Sequence, residues 1–312
     1  MAAYLVTGGA GFIGSNIVHE LVGRGERVRV LDNFSTGRRG NLAEVLEAID
    51  LVEGDMRDGD ACRRAVRGMD YVLHQGAIPS VQRSVDNPFA CNDANVNGTL
   101  NLLIAARDAG VRRVIYASSS SIYGDSPELP KREEMAPRPK SPYAASKLAA
   151  EHYCQVFTQV YGLETVSLRY FNVFGPRQDP TSQYSAVIPL FIKAMLAGER
   201  PVVYGDGLQS RDFTYVSNNV KANLLAVAAP DVAGHVFNIA VGRRYTLLDL
   251  IAILNDILGT RIEPVFAPPR PGDVKHSLAD IGLAREQMGY TVSLDFEAGL
   301  EKAVVWYREH GA

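Results

Sequence analysis

The sequence is poor in cysteine, has no long apolar run and carries no excess of basic charge. Its three cysteines, Cys62, Cys91 and Cys154, are scattered through 312 residues. An odd, dispersed set argues against a disulfide framework and fits a reducing compartment. The spacing matches no metal site, so buried thiols are expected and no metal is. No stretch approaches the roughly 20 apolar residues of a membrane-spanning helix. The chain runs at once into "AYLVTGGAGFIGS", without a basic leader or an apolar targeting segment, so neither a signal peptide nor a membrane anchor is expected and a cytoplasmic location is. The formal net charge of −3 offers nothing to a nucleic acid. What remains, 46% hydrophobic and 21% charged residues, is ordinary for a globular chain of one or two domains.

Short β-branched runs alternate with helical patterns through the first half. "AYLVTG" (3–8), "RVRVLD" (27–32), "DLVEGD" (50–55), "MDYVLHQGA" (69–77), "VRRVIYASS" (111–119) and "ETVSLRYFN" (164–172) read as strands. "FIGSNIVHELVGRG", "VNGTLNLLIAARDAG" and "YAASKLAAEHYCQVFTQVYG" read as helices, each closed by a glycine. That alternation predicts crossover units and a parallel, doubly wound sheet. Near residue 175 it breaks into the proline-rich "GPRQDPTSQY", and a smaller domain over the strand ends is expected beyond it.

"VTGGAGFIGS" places Gly9, Gly11 and Gly14 as G-x-G-x-x-G between a predicted strand and a predicted helix. Glycines there permit a tight turn and a close backbone approach, and a helix N-terminus receives a pyrophosphate. Asp32, at the end of the second strand, suits the adenosine ribose hydroxyls and would repel a 2′-phosphate. NAD is therefore expected over NADP, with Arg38 and Arg39 read as a solvated charge cluster. Asp55 and Met56, at the end of the third strand, are placed to flank the adenine.

In "SPYAASKLAAEHY" Tyr143 and Lys147 stand four apart at the start of a helix, on one face. Alone, such a pair reads as a half-buried phenol beside a solvated lysine; the alternative is a proton shuttle beside a cation that lowers its pKa. The dinucleotide loop favours the second reading, as does the run of serines leaving the fifth strand in "YASSSSIYGD", twenty residues before Tyr143 and ending at Tyr123. A serine there can hydrogen-bond a substrate hydroxyl beside the phenol.

With "DNFSTG", "GDM", "NVNGTLNLL", "SSSSIYG", "YAASK", "LRYFNVFGPRQDP", "GDGLQSRDFTYV" and "RPGDVKHSLAD" in order, the chain resembles the extended short-chain dehydrogenase/reductases, and among them the UDP-sugar 4-epimerases. The resemblance covers nearly the whole chain. It implies an NAD-binding Rossmann domain over 1–174 with a returning segment around 211–247, and a UDP-sugar-binding α/β domain from 175–210 and 248–312. It implies tightly bound NAD held by Gly8, Gly11, Phe12, Ile13, Gly14, Asp32, Asn33, Ser35, Thr36, Gly37, Asp55, Met56, Gln75, Gly76, Ala77, Asn95, Tyr143, Lys147 and Tyr170. Tyr143 would take the proton of the sugar 4-hydroxyl while C4 is oxidised, Lys147 would hold the nicotinamide ribose, and Ser119 would bind the 4-oxygen, with Ser120 and Ser121 as further candidates. Ser80 and Val81 would line the sugar, next to Pro79, where the family usually has Lys or Gly. Asn172, Val187, Val202, Tyr204, Arg211, Arg270 and Asp273 would hold the nucleoside diphosphate. Dehydratases of the superfamily carry an Asp-Glu pair after the Ser119 position and decarboxylases a Glu close by; serines stand there here. Where relatives confined to glucose and galactose have Tyr, Ser277 leaves room for an N-acetyl group. UDP-glucuronate remains open through Arg83, as do a reductase with an exchangeable cofactor and a non-catalytic NAD-binding protein. A homodimer through the helices that begin near Asn95 and Tyr143, as a four-helix bundle, is also implied.

Overall fold

The computed structural model describes residues 1–180, 186–269 and 275–311. A parallel sheet contains β1 (Ala3–Thr7), β2 (Arg27–Asp32), β3 (Ile49–Glu53), β4 (Tyr71–His74), β5 (Arg113–Ser119), β6 (Glu164–Tyr170) and β7 (Val236–Ile239), in the order β7-β6-β5-β4-β1-β2-β3. Every neighbouring pair is parallel. The helices are α1 (Phe12–Gly23), α2 (Gly59–Val66), α3 (Val81–Asp86), α4 (Pro88–Asn92), α5 (Gly98–Asp108), α6 (Pro142–Tyr161), α7 (Val187–Leu196), α8 (Val216–Ala228), α9 (Leu247–Leu258), α10 (Gly282–Met288) and α11 (Phe296–His310).

All five residues of β1 are buried, because helices cover both faces, and that is why these strands read as continuous apolar runs. Ile17, Val18 and Leu21 of α1 join Val220, Ala222 and Ala226 of α8 in the core of one face. Cys62, Leu102, Leu103, Ala150 and Cys154, from α2, α5 and α6, fill the other. All three cysteines are unpaired and buried. The chain builds β1 to β3 in one direction and β4 to β7 in the other. The reversal between β1 and β4 opens a crevice at the carboxyl ends, where ligands bind in such sheets.

A smaller core over those ends gathers Phe174, Phe213, Tyr245 and Phe296 with α7, α9 and α11. Phe213 stacks on Phe296 with centroids 5.2 Å apart. Within the stretch expected to belong wholly to this part, α10 instead joins the sheet: Ala284, Met288 and Tyr290 pack in the α1/α8 core, and the Tyr290 hydroxyl donates to the Ala240 carbonyl at 2.9 Å.

Candidate active site

The site begins with how two helices start. Gly11 is the N-cap of α1 and offers no side-chain cap, so the first N–H groups of the helix remain for an anion. A Cβ on Gly14 would fall 2.1 Å from the Gly8 carbonyl oxygen. Gly8 has φ +63° and lies against the Gly76 backbone, where its own Cβ would fall 2.7 Å from the Gly76 Cα. A Cβ on Gly11 would meet only the Gly8 oxygen, at 3.1 Å. The loop is thus tight where it packs on itself and open where a ligand approaches.

Helix α6 is fixed differently. The Ser141 hydroxyl accepts the Ala144 N–H at 3.1 Å, Pro142 occupies the first turn, and Gly162 at φ 70° closes the far end. These local signals put Tyr143 and Lys147 in the opening turns. Between the strand ends and the smaller core lies a cavity of about 890 Å³, lined by both residues.

Lys147 is buried, and its Nζ donates to the Ala117 carbonyl at 2.7 Å and sits 4.9 Å from the centre of the Tyr116 ring. Burial lowers its pKa to about 8. Burial raises the Tyr143 phenol, while a hydrogen bond with Ser119 works the other way. The sequence-based thought that the ammonium itself lowers the phenol is not what the structure shows. Lys147 spends its charge on a carbonyl, and desolvation decides the phenol.

Ser119 ends β5. Its Oγ accepts the Ser121 N–H at 3.2 Å and lies 2.8 Å from the Ser121 Oγ. One residue earlier, Ser118 donates to Glu151 at 2.6 Å, and Glu151 pairs with Arg169 at 2.7 Å, both fully buried. Arg169 also donates to the Tyr123 hydroxyl at 2.7 Å. This network clamps the strand end that presents Ser119.

Most residues expected around NAD do line the cavity: Gly8, Gly11, Phe12, Ile13, Gly14, Asp32, Asn33, Ser35, Thr36, Asp55, Met56, Gln75, Gly76, Ala77 and Tyr170. The Asp32 carboxylate accepts the Ala10 and Phe34 N–H groups, each at 2.8 Å, so it is oriented in advance. Arg57 and Asn33 hold Asp55, with the Arg57 hydrogen bond the main reason its pKa falls to about 2. Arg38 pairs with Asp179 and Arg39 with Glu53, in keeping with a paired charge cluster rather than a 2′-phosphate site. Gly37 and Asn95 lie one layer back. A Cβ on Gly37 would fall 2.9 Å from Ala10. Asn95 accepts the Ile78 N–H at 2.8 Å and donates to Ser146 at 3.0 Å, so it shapes the wall through Ile78.

On the other side Ser80, Val81, Ser119, Ser120, Ser121, Asn172, Arg211 and Ser277 line the cavity, as does Arg83. Val187, Val202 and Tyr204 are not among the lining residues. In the strand Val202–Tyr204, alternation buries Val203 and leaves its two neighbours on the outer face. Arg270 and Asp273 lie outside the described residues. Lys131, Arg177, Gln178, Asp179 and His276 line the cavity without having been singled out as site residues. Arg177, Gln178 and Asp179 sit in "GPRQDP" and His276 in "GDVKHSLAD", motifs already noted for their resemblance. Arg177 donates to Asn16 at 3.4 Å and to His19 at 3.3 Å, contacts too distant in sequence to read.

The NAD dependent epimerase/dehydratase family matches residues 4–240. The chain belongs to that family. It is an NAD-dependent enzyme of the extended short-chain dehydrogenase/reductase fold. It is 38% identical over 308 residues to the UDP-glucose 4-epimerase of Mycolicibacterium smegmatis, covering 97% of this chain and 98% of that one. Among solved structures it resembles a UDP-N-acetylglucosamine 4-epimerase from Methanobrevibacter ruminantium in complex with UDP-N-acetylmuramic acid. There the TM-score is 0.94 and the identity 42%, over 99% of this chain and 98% of that one. The Thermus thermophilus UDP-glucose 4-epimerase in complex with NAD gives a TM-score of 0.89 at 40% identity, over 98% and 99%.

Proposed function

We propose that the protein interconverts C4 epimers of UDP-hexoses, accepting UDP-N-acetylglucosamine and UDP-N-acetylgalactosamine as well as UDP-glucose and UDP-galactose. The observation that carries this reading is the cavity wall at the end of β5. Ser119 there lines the cavity with Tyr143 and works against the burial of its phenol, and the next two residues, Ser120 and Ser121, offer hydroxyls where elimination or decarboxylation needs an acid. NAD, when bound, supplies the hydride acceptor for C4 and a positive charge beside the phenol.

The open Gly11 turn and the oriented Asp32 carboxylate would hold its pyrophosphate and adenosine ribose, and Lys147 its second ribose. Tyr143 takes the proton from the 4-hydroxyl and returns it once the sugar has presented its other face. Ser119 holds the 4-oxygen through both halves. Lys147, a buried cation on the same cavity wall, would favour the phenolate together with the positive charge of bound NAD. Asn172 and Arg211 hold the diphosphate, since a guanidinium is a permanently charged planar donor. Ser277, small where a bulkier side chain would crowd the 2-substituent, admits the N-acetyl group. Arg83 on the same wall supports the second reading, a UDP-glucuronate 4-epimerase. The assignment of 1–174 with 211–247 to NAD, and of 175–210 with 248–312, α10 excepted, to the UDP-sugar, belongs to this proposal.

Among the described residues no helix is long and apolar enough to cross a membrane, and with three unpaired cysteines a cytoplasmic location fits. A homodimer is supported by an exposed stripe on α6, Tyr153, Val156 and Val160, beside Phe89 of α4, which is 89% exposed. A monomeric mass in light scattering would remove it.

The test of the activity is an NMR assay of purified protein, without added cofactor, on UDP-glucose, UDP-N-acetylglucosamine and UDP-glucuronate in turn. Formation of 4-epimers of the first two is the expected result. Conversion of UDP-glucuronate alone would select the second reading. No conversion of any of them, even with added NAD, would overturn both.

A further inference from the structure

The diphosphate end of the cavity contains a titrating group that the mechanism above does not use. The strand Ser210–Arg211 pairs antiparallel with Tyr245–Thr246. On its other side it is bracketed by residues 275–277: the Ser210 N–H donates to the Lys275 carbonyl and the Ser277 N–H to the Ser210 carbonyl, each at 3.0 Å. This pins His276 directly beside Ser210, and its Nδ1 lies 2.9 Å from the Ser210 Oγ. Arg211 braces the same turn by donating to the Ser210 and Lys275 carbonyls, at 3.0 and 3.2 Å. His276 lines the cavity between Arg211 and Ser277, and no protein hydrogen bond reaches its Nε2 among the described residues.

The charges around the ring are lopsided. Burial, then Arg244, Lys275 and Arg211, disfavour the imidazolium, and Asp206 opposes them. Three cations acting on one ring suit a ligand that brings negative charge to that spot. The diphosphate linkage of a nucleotide sugar carries two negative charges close to Arg211 on the reading above.

We propose that His276 is a further ligand of the substrate diphosphate, engaged through Nε2 in its protonated form, so that binding takes up a proton. This rests on the UDP-sugar reading of the site. In the imidazolium both ring nitrogens donate: Nδ1–H to the Ser210 hydroxyl, which turns to accept, and Nε2–H to a phosphate oxygen. The backbone need not move, because the hydroxyl hydrogen rotates freely. Two negative charges within a few ångströms outweigh the three cations, and the ring becomes protonated at neutral pH.

The experiment is titration calorimetry of UDP-glucose into the NAD-loaded enzyme, in buffers of different ionisation enthalpy. UDP-glucose suits it because its phosphates do not titrate near neutrality and epimerisation neither consumes nor releases a proton. At pH 7 the wild type takes up about half a proton or more per UDP-glucose. His276→Gln, which keeps a hydrogen-bonding amide but cannot titrate, takes up about half a proton fewer, since any change at Lys147 or Tyr143 is common to both proteins. The affinity of the wild type exceeds that of His276→Gln by about ten-fold at pH 6.5, and the two converge by pH 8.5. His276→Arg binds independently of pH over that range, with the same reduced uptake. Tight binding by the wild type with no proton uptake, equal uptake in His276→Gln, or a pH-independent loss of affinity in that variant would each overturn the role of His276 and leave the UDP-sugar reading standing. Failure of both UDP-glucose and UDP-glucuronate to bind the NAD-loaded wild type would overturn the UDP-sugar reading, and this proposal with it.

Discussion

Replacing Lys147 with methionine separates what the residue does for the fold from what it does for the chemistry. The lysine is 4% exposed, and burial lowers its pKa from 10.5 to about 8. At about 1.36 kcal/mol per pH unit, keeping an ammonium there costs the fold roughly 3 kcal/mol at pH 7. The sign follows from the direction of the shift. A lysine whose folded value is depressed destabilises the fold wherever the unfolded chain is protonated, and that cost fades as pH rises through 8 towards 10.5. Methionine has no such term, though it leaves the Ala117 carbonyl without its donor, which works against the gain at pH 7. The discriminating quantity is therefore the pH slope. Between pH 7 and 9.5 the wild type should gain about 2 kcal/mol on Lys147→Met. Urea unfolding followed by circular dichroism, on both proteins freed of cofactor, reads this directly. Epimerase activity should fall at least about 100-fold in the variant at either pH. A stability difference that stays flat over this range would refute the argument, since Lys147 would then not be held as a buried, desolvated cation.

Three other substitutions probe separate parts of the account. Tyr143→Phe should lower turnover by roughly 10²–10⁴ while NAD content and melting temperature stay near those of the wild type; rates within ten-fold would remove Tyr143 as the proton carrier. Ser277→Tyr should suppress turnover of UDP-N-acetylglucosamine and spare UDP-glucose, whereas equal loss on both would count against a gate at this position. Arg169→Met strands the Glu151 carboxylate, which shares a fully buried pair with it. Removing one partner should cost about 3–5 kcal/mol, measured by denaturant unfolding, and a cost below about 1 kcal/mol would show that the network does not clamp β5.

Much of this architecture was legible in the chain because its signals are local. The first six strands are short β-branched runs, with β1 buried throughout and only the edge strand β3 largely uncovered, and Tyr143 and Lys147 share a single capped helix. β7 was harder: "VFNI" is four residues long and gains its identity only by pairing with β6. The same holds for α10, which lies in sequence between α9 and α11 of the smaller core but packs on β7. Tyr204 illustrates a different limit, since a motif places it near a ligand while strand alternation turns it to the outer face. Asn95 is in the right neighbourhood but acts through the Ile78 backbone, a distinction that only packing reveals. The pairs Arg38–Asp179 and Arg177–His19 join segments more than a hundred residues apart, and no local pattern encodes them. The balance of effects on the Tyr143 phenol, burial against a hydrogen bond with Ser119, was not legible, because spacing on a helix says nothing about where Lys147 sends its hydrogen bond.

The central claim is oxidation at C4 and return of the same hydrogen within one retained site. The most direct measurement uses UDP-glucose bearing deuterium at C4, incubated with the purified enzyme in ordinary water without added cofactor and analysed by NMR. The account predicts UDP-galactose with the deuterium still on C4 and none released to solvent. Loss of the label to water, or product labelled at C4 from heavy water in the reverse experiment, would contradict it.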